Sequence, residues 1–186
     1  MSTTELPQGL PVPEDDGAAD HLVGTGIPGI VLSGTNGTVD LGALPGTAVL
    51  YCYPMTGTPG VALPDGWDDI PGARGCTPQA CSFRDHLAEL TAAGADHVHG
   101  ISTQSVEALA EARERLGLPY ALLSDADGVL SRGVRLPTME VEGRTMLKRL
   151  TMIVRDGTIV AAFYPVFPPD ADAGNVLGWL RDHPAA

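Results

Sequence analysis

Aromatic residues are scarce in this chain, at 5%. A platform for stacking bases needs several of them, so single-stranded nucleic-acid binding is disfavoured. Basic residues are few as well: 11 Lys and Arg stand against 23 Asp and Glu, for a formal net charge of −12. Such a surface repels phosphate backbones and anionic lipid. No stretch approaches the roughly 18 apolar residues of a membrane span. The N-terminus, MSTTELPQGLPVPEDDGAAD, has neither a basic start nor an apolar run, so it does not read as a secretory signal. A cytoplasmic protein is expected, with neither nucleic acid nor membrane as a partner. Cysteine is sparse too, with only Cys52, Cys76 and Cys81. Three is odd, and too few for a disulfide scaffold in 186 residues. In a reducing compartment, closely spaced cysteines more often signal metal or redox chemistry.

What is present is enough for one folded domain. Apolar residues make up 44%, which supports a real core. Gly and Pro number 23 and 16, which implies many turns and long loops. Residues 1–20 are acidic, proline-containing and aperiodic, and are expected to form a flexible arm. Residues 21–186 are expected to form a single domain. Asn36-Gly37 is a hairpin signal between two short runs. Ala48 to Tyr53 is a continuous apolar run, the pattern of a strand buried on both faces, and Pro54 stops it. A long loop follows, with Pro59, Pro64 and Pro71. From Cys76 the period becomes helical, with Ala80, Phe83, Leu87 and Leu90 on one stripe and Gly94 as the stop. Strands are expected at 97–102, 121–123, 148–155 and 158–164, the last two joined at Asp156-Gly157. Helices are expected at 105–116, 125–133 and up to 182, the last capped by Asp170 or Asp172. Alternation of this kind argues for an α/β fold around one mixed sheet.

Chemistry concentrates at Gly75-Cys76-Thr77-Pro78-Gln79-Ala80-Cys81-Ser82-Phe83-Arg84-Asp85. In the first turn of a helix, the Cys76 sulfur sits near unsatisfied backbone N–H groups and the positive end of the dipole. That position favours the thiolate, the nucleophilic form. Cys81 lies five residues on. At ~100° per residue the two side chains differ by about 140°, and their Cα atoms lie roughly 8 to 9 Å apart on an ideal helix. A disulfide needs less than about 7 Å. A permanent bridge is therefore a poor reading. A bond formed after oxidation of Cys76, with local unwinding as a step, is a better one.

Other candidates read as structural. Cys52 lies inside the buried strand and reads as a small core hydrophobe. His97 and His99 could share a strand face, but two histidines without a third ligand rarely make a metal site. Asp125-Ala126-Asp127-Gly128 lacks the later ligands of a calcium loop and reads as a turn and helix cap. The glycine-rich stretches precede no helix, so no phosphate loop is supported. No cofactor and no metal is expected.

At the cysteine segment the sequence resembles the peroxiredoxins, most closely the Q type, also called bacterioferritin comigratory proteins. The pattern is carried by Tyr53-Pro54, Thr58-Pro59-Gly60, Cys76-Thr77 and Ala80-Cys81-Ser82-Phe83-Arg84-Asp85. Lys148-Arg149-Leu150-Thr151-Met152-Ile153-Val154, followed by Asp156-Gly157, matches the strand that opens with the family's catalytic arginine. The resemblance spans roughly 28–182. It implies a thioredoxin-like fold and thiol peroxidase activity towards hydrogen peroxide or organic hydroperoxides. It implies Cys76 as peroxidatic cysteine, Cys81 as resolving cysteine, Arg149 as the catalytic arginine, and Pro54 and Thr58 as pocket residues. A thioredoxin-like or low-molecular-weight thiol would be the reductant, and the protein a monomer or homodimer.

One departure is large. In the family, Thr-Pro-Gly runs straight into the peroxidatic cysteine, whereas here the fifteen residues Val61 to Gly75 intervene. Counted back from Cys76, the threonine position is Ala73 and the proline position is Asp69. The favoured arrangement loops the insertion out and returns Pro54 and Thr58 to their usual places. In the other, the pocket is rebuilt and Thr77 or Arg74 contributes. The insertion, with Trp67, Asp65, Asp68 and Asp69, could serve as a lid or a partner surface. Two rival functions use the same thiols: a redox-switched binding protein, and a thiol–disulfide oxidoreductase without efficient peroxidase activity. The second is weaker because no Cys-x-x-Cys is present.

Overall fold

A computed structural model describes residues 6–185. The Asn36-Gly37 turn joins β1 (Val31–Gly34) to β2 (Gly37–Asp40) as an antiparallel hairpin. The apolar run forms β3 (Thr47–Cys52), buried along its whole length. The helical stripe forms α1 (Cys76–Asp85) and α2 (Leu87–Ala92). Then come β4 (His97–Ser102), α3 (Val106–Leu116), β5 (Leu122–Ser124) and α4 (Val129–Gly133). The chain ends with β6 (Thr138–Val141), β7 (Arg144–Leu147), β8 (Leu150–Arg155), β9 (Thr158–Phe163) and α5 (Asp172–Asp182). Seven strands make one mixed sheet in the order β2-β1-β5-β4-β3-β8-β9, while β6 and β7 pair separately. Among the described residues, no helix is long and apolar enough to cross a membrane.

Strand β3 runs parallel to β4 and antiparallel to β8, so it occupies the middle of the sheet. Its side chains alternate between two faces. Val49 and Tyr51, with Tyr53 beyond the strand end, enter the core beneath α1, α3 and α5. Ala48, Leu50 and Cys52 enter the opposite core, with Ile30, Leu130 and Leu147. Tyr51 stacks on Phe83 of α1 at 4.4 Å between ring centroids, which ties the last turn of that helix to the sheet. Gly100 of β4 lies opposite Tyr51, and a Cβ there would come within 2.5 Å of its ring.

Two departures from the sequence-based expectation concern how the site is framed. The helix from Cys76 is interrupted at His86, where φ is −96° and ψ 1°. The ring Nδ1 of His86 lies 2.9 Å from the Ser82 carbonyl, a local side-chain contact at the interruption. The β6–β7 hairpin is unanticipated, although Glu142-Gly143, both at positive φ, form its turn. It gives the insertion something to pack on. Trp67 and Ala73 are buried with Val141 and Met146 in a small third core.

Candidate active site

Gly75 precedes α1 with φ 106°, a left-handed conformation that favours glycine. A Cβ there would lie 2.4 Å from the Pro169 ring and 2.9 Å from Leu6. The backbone at the helix start is thus pressed between the N-terminal segment and the turn before α5. Cys76 follows as the first helical residue, 4% exposed. Cys81 is buried in the same core at 5%, not turned away from it. All three cysteines are free thiols.

Arg149 enters from the residue before β8. It is 3% exposed, and its Nη2 donates to Cys76 Sγ at 3.3 Å. A guanidinium so placed stabilises negative charge on sulfur through a charge-assisted hydrogen bond. The same nitrogen lies 3.1 to 3.2 Å from the carbonyls of Gly72, Ala73 and Arg74. Two protons therefore serve four acceptors. The Sγ of Cys76 also lies 3.6 Å from the Ala73 carbonyl. Nε of Arg149 is buried without a partner among the described residues.

A polar chain behind the guanidinium escaped the sequence reading. Nη1 of Arg149 donates to Gln79 Oε1 at 2.5 Å. The Gln79 amide donates to Asp172 Oδ2 at 2.7 Å, and Thr151 Oγ1 donates to the same oxygen at 2.7 Å. Spacing could have identified Gln79, since it follows Cys76 by three residues and so shares its helix face. Asp172 could not be found that way. Its sequence reads as a cap, yet α5 has no side-chain cap, and the carboxylate turns inward at 1% exposure. Burial raises the Asp172 carboxyl above the ordinary range, against the hydrogen bonds from Thr151 and Gln79.

Burial raises the Cys81 thiol, with the nearby Arg84 charge working in the opposite direction. Cys52 is raised strongly by burial alone in the main, as suits a core thiol.

Pro54 is buried and Thr58 is exposed. Both line a cavity of about 490 Å³ together with Thr56, Val61, Gln104 and Arg144, a lining that includes neither Cys76 nor Arg149. Ala73, at the threonine position counted back from Cys76, has its carbonyl 3.6 Å from the sulfur. Burying Trp67 and Ala73 against β6–β7 draws the end of the insertion over the helix start. Of the two alternatives to Thr58, Arg74 contributes its carbonyl to Arg149, while its guanidinium pairs with Asp68 at 3.2 Å.

A helix-start thiol held by a buried arginine is the arrangement that the sequence resemblance implies. Residues 22–177 match the Redoxin family model. A putative peroxiredoxin of Mycobacterium tuberculosis is 37% identical over 138 residues, covering 72% of this chain and 75% of that one. The chain belongs to the peroxiredoxin family. Peroxiredoxin Bcp of Escherichia coli is 33% identical over 139 residues, 73% of this chain and 78% of that one. Among solved structures, peroxidoxin BcpB of M. tuberculosis matches with a TM-score of 0.70 and 28% identity, over 88% of this chain and 98% of that one. Peroxiredoxin Q of Xanthomonas campestris matches with a TM-score of 0.65 and 25% identity, over 94% and 98%. This peroxiredoxin is accordingly a thiol-dependent peroxidase with a thioredoxin-like fold.

Proposed function

We propose that this peroxiredoxin reduces hydroperoxides at Cys76 and resolves the product through Cys81. The Cys76 thiolate attacks one peroxide oxygen and the O–O bond breaks. The other oxygen leaves as hydroxide or alkoxide and takes up a proton. Sulfur is thereby oxidised by two electrons to sulfenic acid. The Cys81 thiolate then attacks the Cys76 sulfur, an S–S bond forms, and hydroxide leaves as water after protonation. A dithiol of the thioredoxin type or a low-molecular-weight thiol returns the two electrons. Arg149 holds the thiolate and then the departing oxygen. The observation that carries this reading is the 3.3 Å bond from a buried guanidinium to the Cys76 sulfur at a helix start.

The resolution step requires α1 to open. Both cysteines lie in one continuous helix. Their Cα atoms on an ideal helix are about 8 to 9 Å apart, beyond the reach of a disulfide. Unwinding the first turn brings them within reach and removes the burial that raises the Cys81 thiol. Peroxide consumption by the wild-type protein and two variants tests the scheme. Cys76→Ser abolishes consumption. Cys81→Ser is oxidised once per chain but turns over poorly with a dithiol. Mass spectrometry of oxidised wild type shows a Cys76–Cys81 bridge. Full activity in Cys76→Ser overturns the mechanism.

A further inference from the structure

The Arg149 charge is buried among neutral acceptors and the Cys76 sulfur. Among the described residues, no carboxylate forms an ion pair with it. Its hydrogen bonds nevertheless lead to one, through a single intermediate side chain. Gln79 accepts from Arg149 and donates to Asp172 Oδ2 at 2.7 Å. Thr151 donates to that same oxygen at 2.7 Å. All four side chains are buried. Three elements bring them together: Gln79 stands in α1, Thr151 in β8, and Asp172 opens α5. Thr151 follows Arg149 by two residues, so the two share a face of the extended chain.

A carboxamide can sit in one space in two ways, with its oxygen and nitrogen exchanged. A guanidinium only donates hydrogen bonds, so the Gln79 oxygen has to face Arg149. The Gln79 nitrogen then needs an acceptor on the far side, and Asp172 Oδ2 supplies it. Exchanged, the amide would set N–H groups against the guanidinium and a carbonyl against the carboxylate. Both contacts would be repulsive in a buried site. The Thr151 hydroxyl holds the accepting oxygen from the strand side. The other oxygen, Oδ1, is buried without a partner among the described residues. Burying a carboxylate in this way costs stability, so the packing of α5 does not account for it.

We propose that Asp172 is a positioning residue for the peroxidase reaction: its Oδ2 fixes the Gln79 amide with the oxygen towards Arg149, and so sets the guanidinium against the Cys76 sulfur. Asp172 touches neither peroxide nor sulfur and acts through Gln79. This inference rests on the peroxidase reading of Cys76 and Arg149. The docking of α5 does not depend on the carboxylate. Ser82 of α1 donates to the Asp170 carbonyl at 2.7 Å, and Ala173, Val176, Leu177 and Leu180 are buried in the core beneath α1. Substitutions at 172 therefore reach the amide while the helix stays in place.

The test compares two substitutions that remove the same charge. Asp172→Asn keeps an oxygen that can accept from Gln79 and Thr151, whereas Asp172→Leu keeps none. The first reading is the rate constant for Cys76 oxidation by hydrogen peroxide, taken by stopped flow on the reduced full-length protein. The second is the pH midpoint of Cys76 alkylation by iodoacetamide. Asp172→Leu is expected to lower the rate constant about tenfold or more, through a misplaced guanidinium. Its alkylation midpoint is expected above that of Asp172→Asn, which stays within about threefold of wild type in rate. Added to Gln79→Ala, Asp172→Leu is expected to cost less than about twofold more, because the amide it acts through is already gone. A merely structural Asp172 would lower the denaturant midpoint and leave the rate constant and the alkylation midpoint of the folded protein at wild type, which overturns the proposal. Equal losses in Asp172→Asn and Asp172→Leu assign the effect to charge and overturn it too, as does a full further loss on Gln79→Ala. Should Asp172→Leu fail to fold, Thr151→Val decides alone, by a fall of about threefold or no fall. A wild-type protein oxidised rapidly, with Asp172→Leu unmoved, removes this inference and leaves the peroxidase reading standing. A wild-type protein oxidised no faster than a free thiol overturns both.

Discussion

The insertion contributes its beginning to one cavity and its end to another, and the two divide the expected pocket residues between them. The larger cavity takes Val61 and Leu63 along with Pro54 and Thr58. The smaller takes Ile70, Pro71 and Gly72 along with Arg149, whose Nη2 holds the Cys76 sulfur. Thr58 thus lines one cavity, and the arginine that meets the Cys76 sulfur lines the other. The difference teaches that, within the insertion, only the residues next to the helix start have their place at Cys76 set by local backbone. Ala73 is three residues away, and the turn of backbone that enters α1 carries it to the sulfur. Thr58 is eighteen residues away, and its place depends on how everything between them folds.

The comparison is broken most severely at Arg149. Arg149→Ala removes the donor to the sulfur and leaves Gln79 Oε1 and three backbone carbonyls without it. Loss of one preorganised donor to a developing charge costs about 10²- to 10³-fold in rate. The expected result is a drop of that size in the rate of Cys76 oxidation by hydrogen peroxide, read by stopped flow. A loss under fivefold would detach Arg149 from the chemistry.

Gly75→Ala comes next. It forces a side chain into a left-handed conformation and against Pro169 and Leu6. A strained backbone position of this kind costs about 1–3 kcal/mol. Denaturant unfolding is expected to show that loss, and the rate with hydrogen peroxide to fall with it, because the same backbone aims Cys76.

The contacts of Asp16 with Lys148 and Tyr164 have a weaker, pH-dependent signature. Hydrogen bonds from Lys148 and then Tyr164 hold Asp16 at about 2, below its ordinary 3.8. A depressed carboxyl stabilises the fold above the ordinary value, and that contribution is lost as pH falls through about 2. The pair is solvent-exposed, so its worth is under about 1 kcal/mol. Thermal unfolding of Asp16→Asn is expected to fall slightly below wild type near neutral pH. The gap closes as pH is lowered from 4 towards 2. A gap that persists at pH 2 would show that the carboxylate charge does not hold this contact.

Thr58→Val has the smallest expected effect. With Thr58 exposed in the larger cavity, oxidation of Cys76 stays within twofold of wild type. A tenfold loss would place the threonine at the sulfur and reverse the comparison.

Much of the scaffold is legible because it rests on short-range patterns. The Asn36-Gly37 turn, the doubly buried run of β3, the Ser105 cap of α3 and the Asp156-Gly157 hairpin each declare themselves within a few residues. The pairing of Cys76 with Arg149 is legible through residue type, spacing and the family resemblance. Other features are not. Nothing local to Asp172 says that its carboxylate serves Gln79 instead of capping α5. The interruption at His86, where the ring nitrogen lies beside the Ser82 carbonyl, has no signal in the apolar period. The place of residues 6–20, read as an arm, is set by partners more than 100 residues away in sequence, such as Lys148 and Tyr164.

By itself, then, the sequence determines the alternation of strands and helices, the helix that opens on Cys76, and the chemistry that a cysteine pair and an arginine can perform. These follow from hydrophobic period, backbone preference and side-chain type, which act over a few residues. Only the tertiary structure decides that Arg149 meets the Cys76 sulfur, that Gln79 and Asp172 stand behind Arg149, and that Pro13 and Glu14 line a cavity with it. Those outcomes depend on which distant surfaces bury one another. The burial of Trp67 and Ala73 against β6–β7 exists only once the chain has folded.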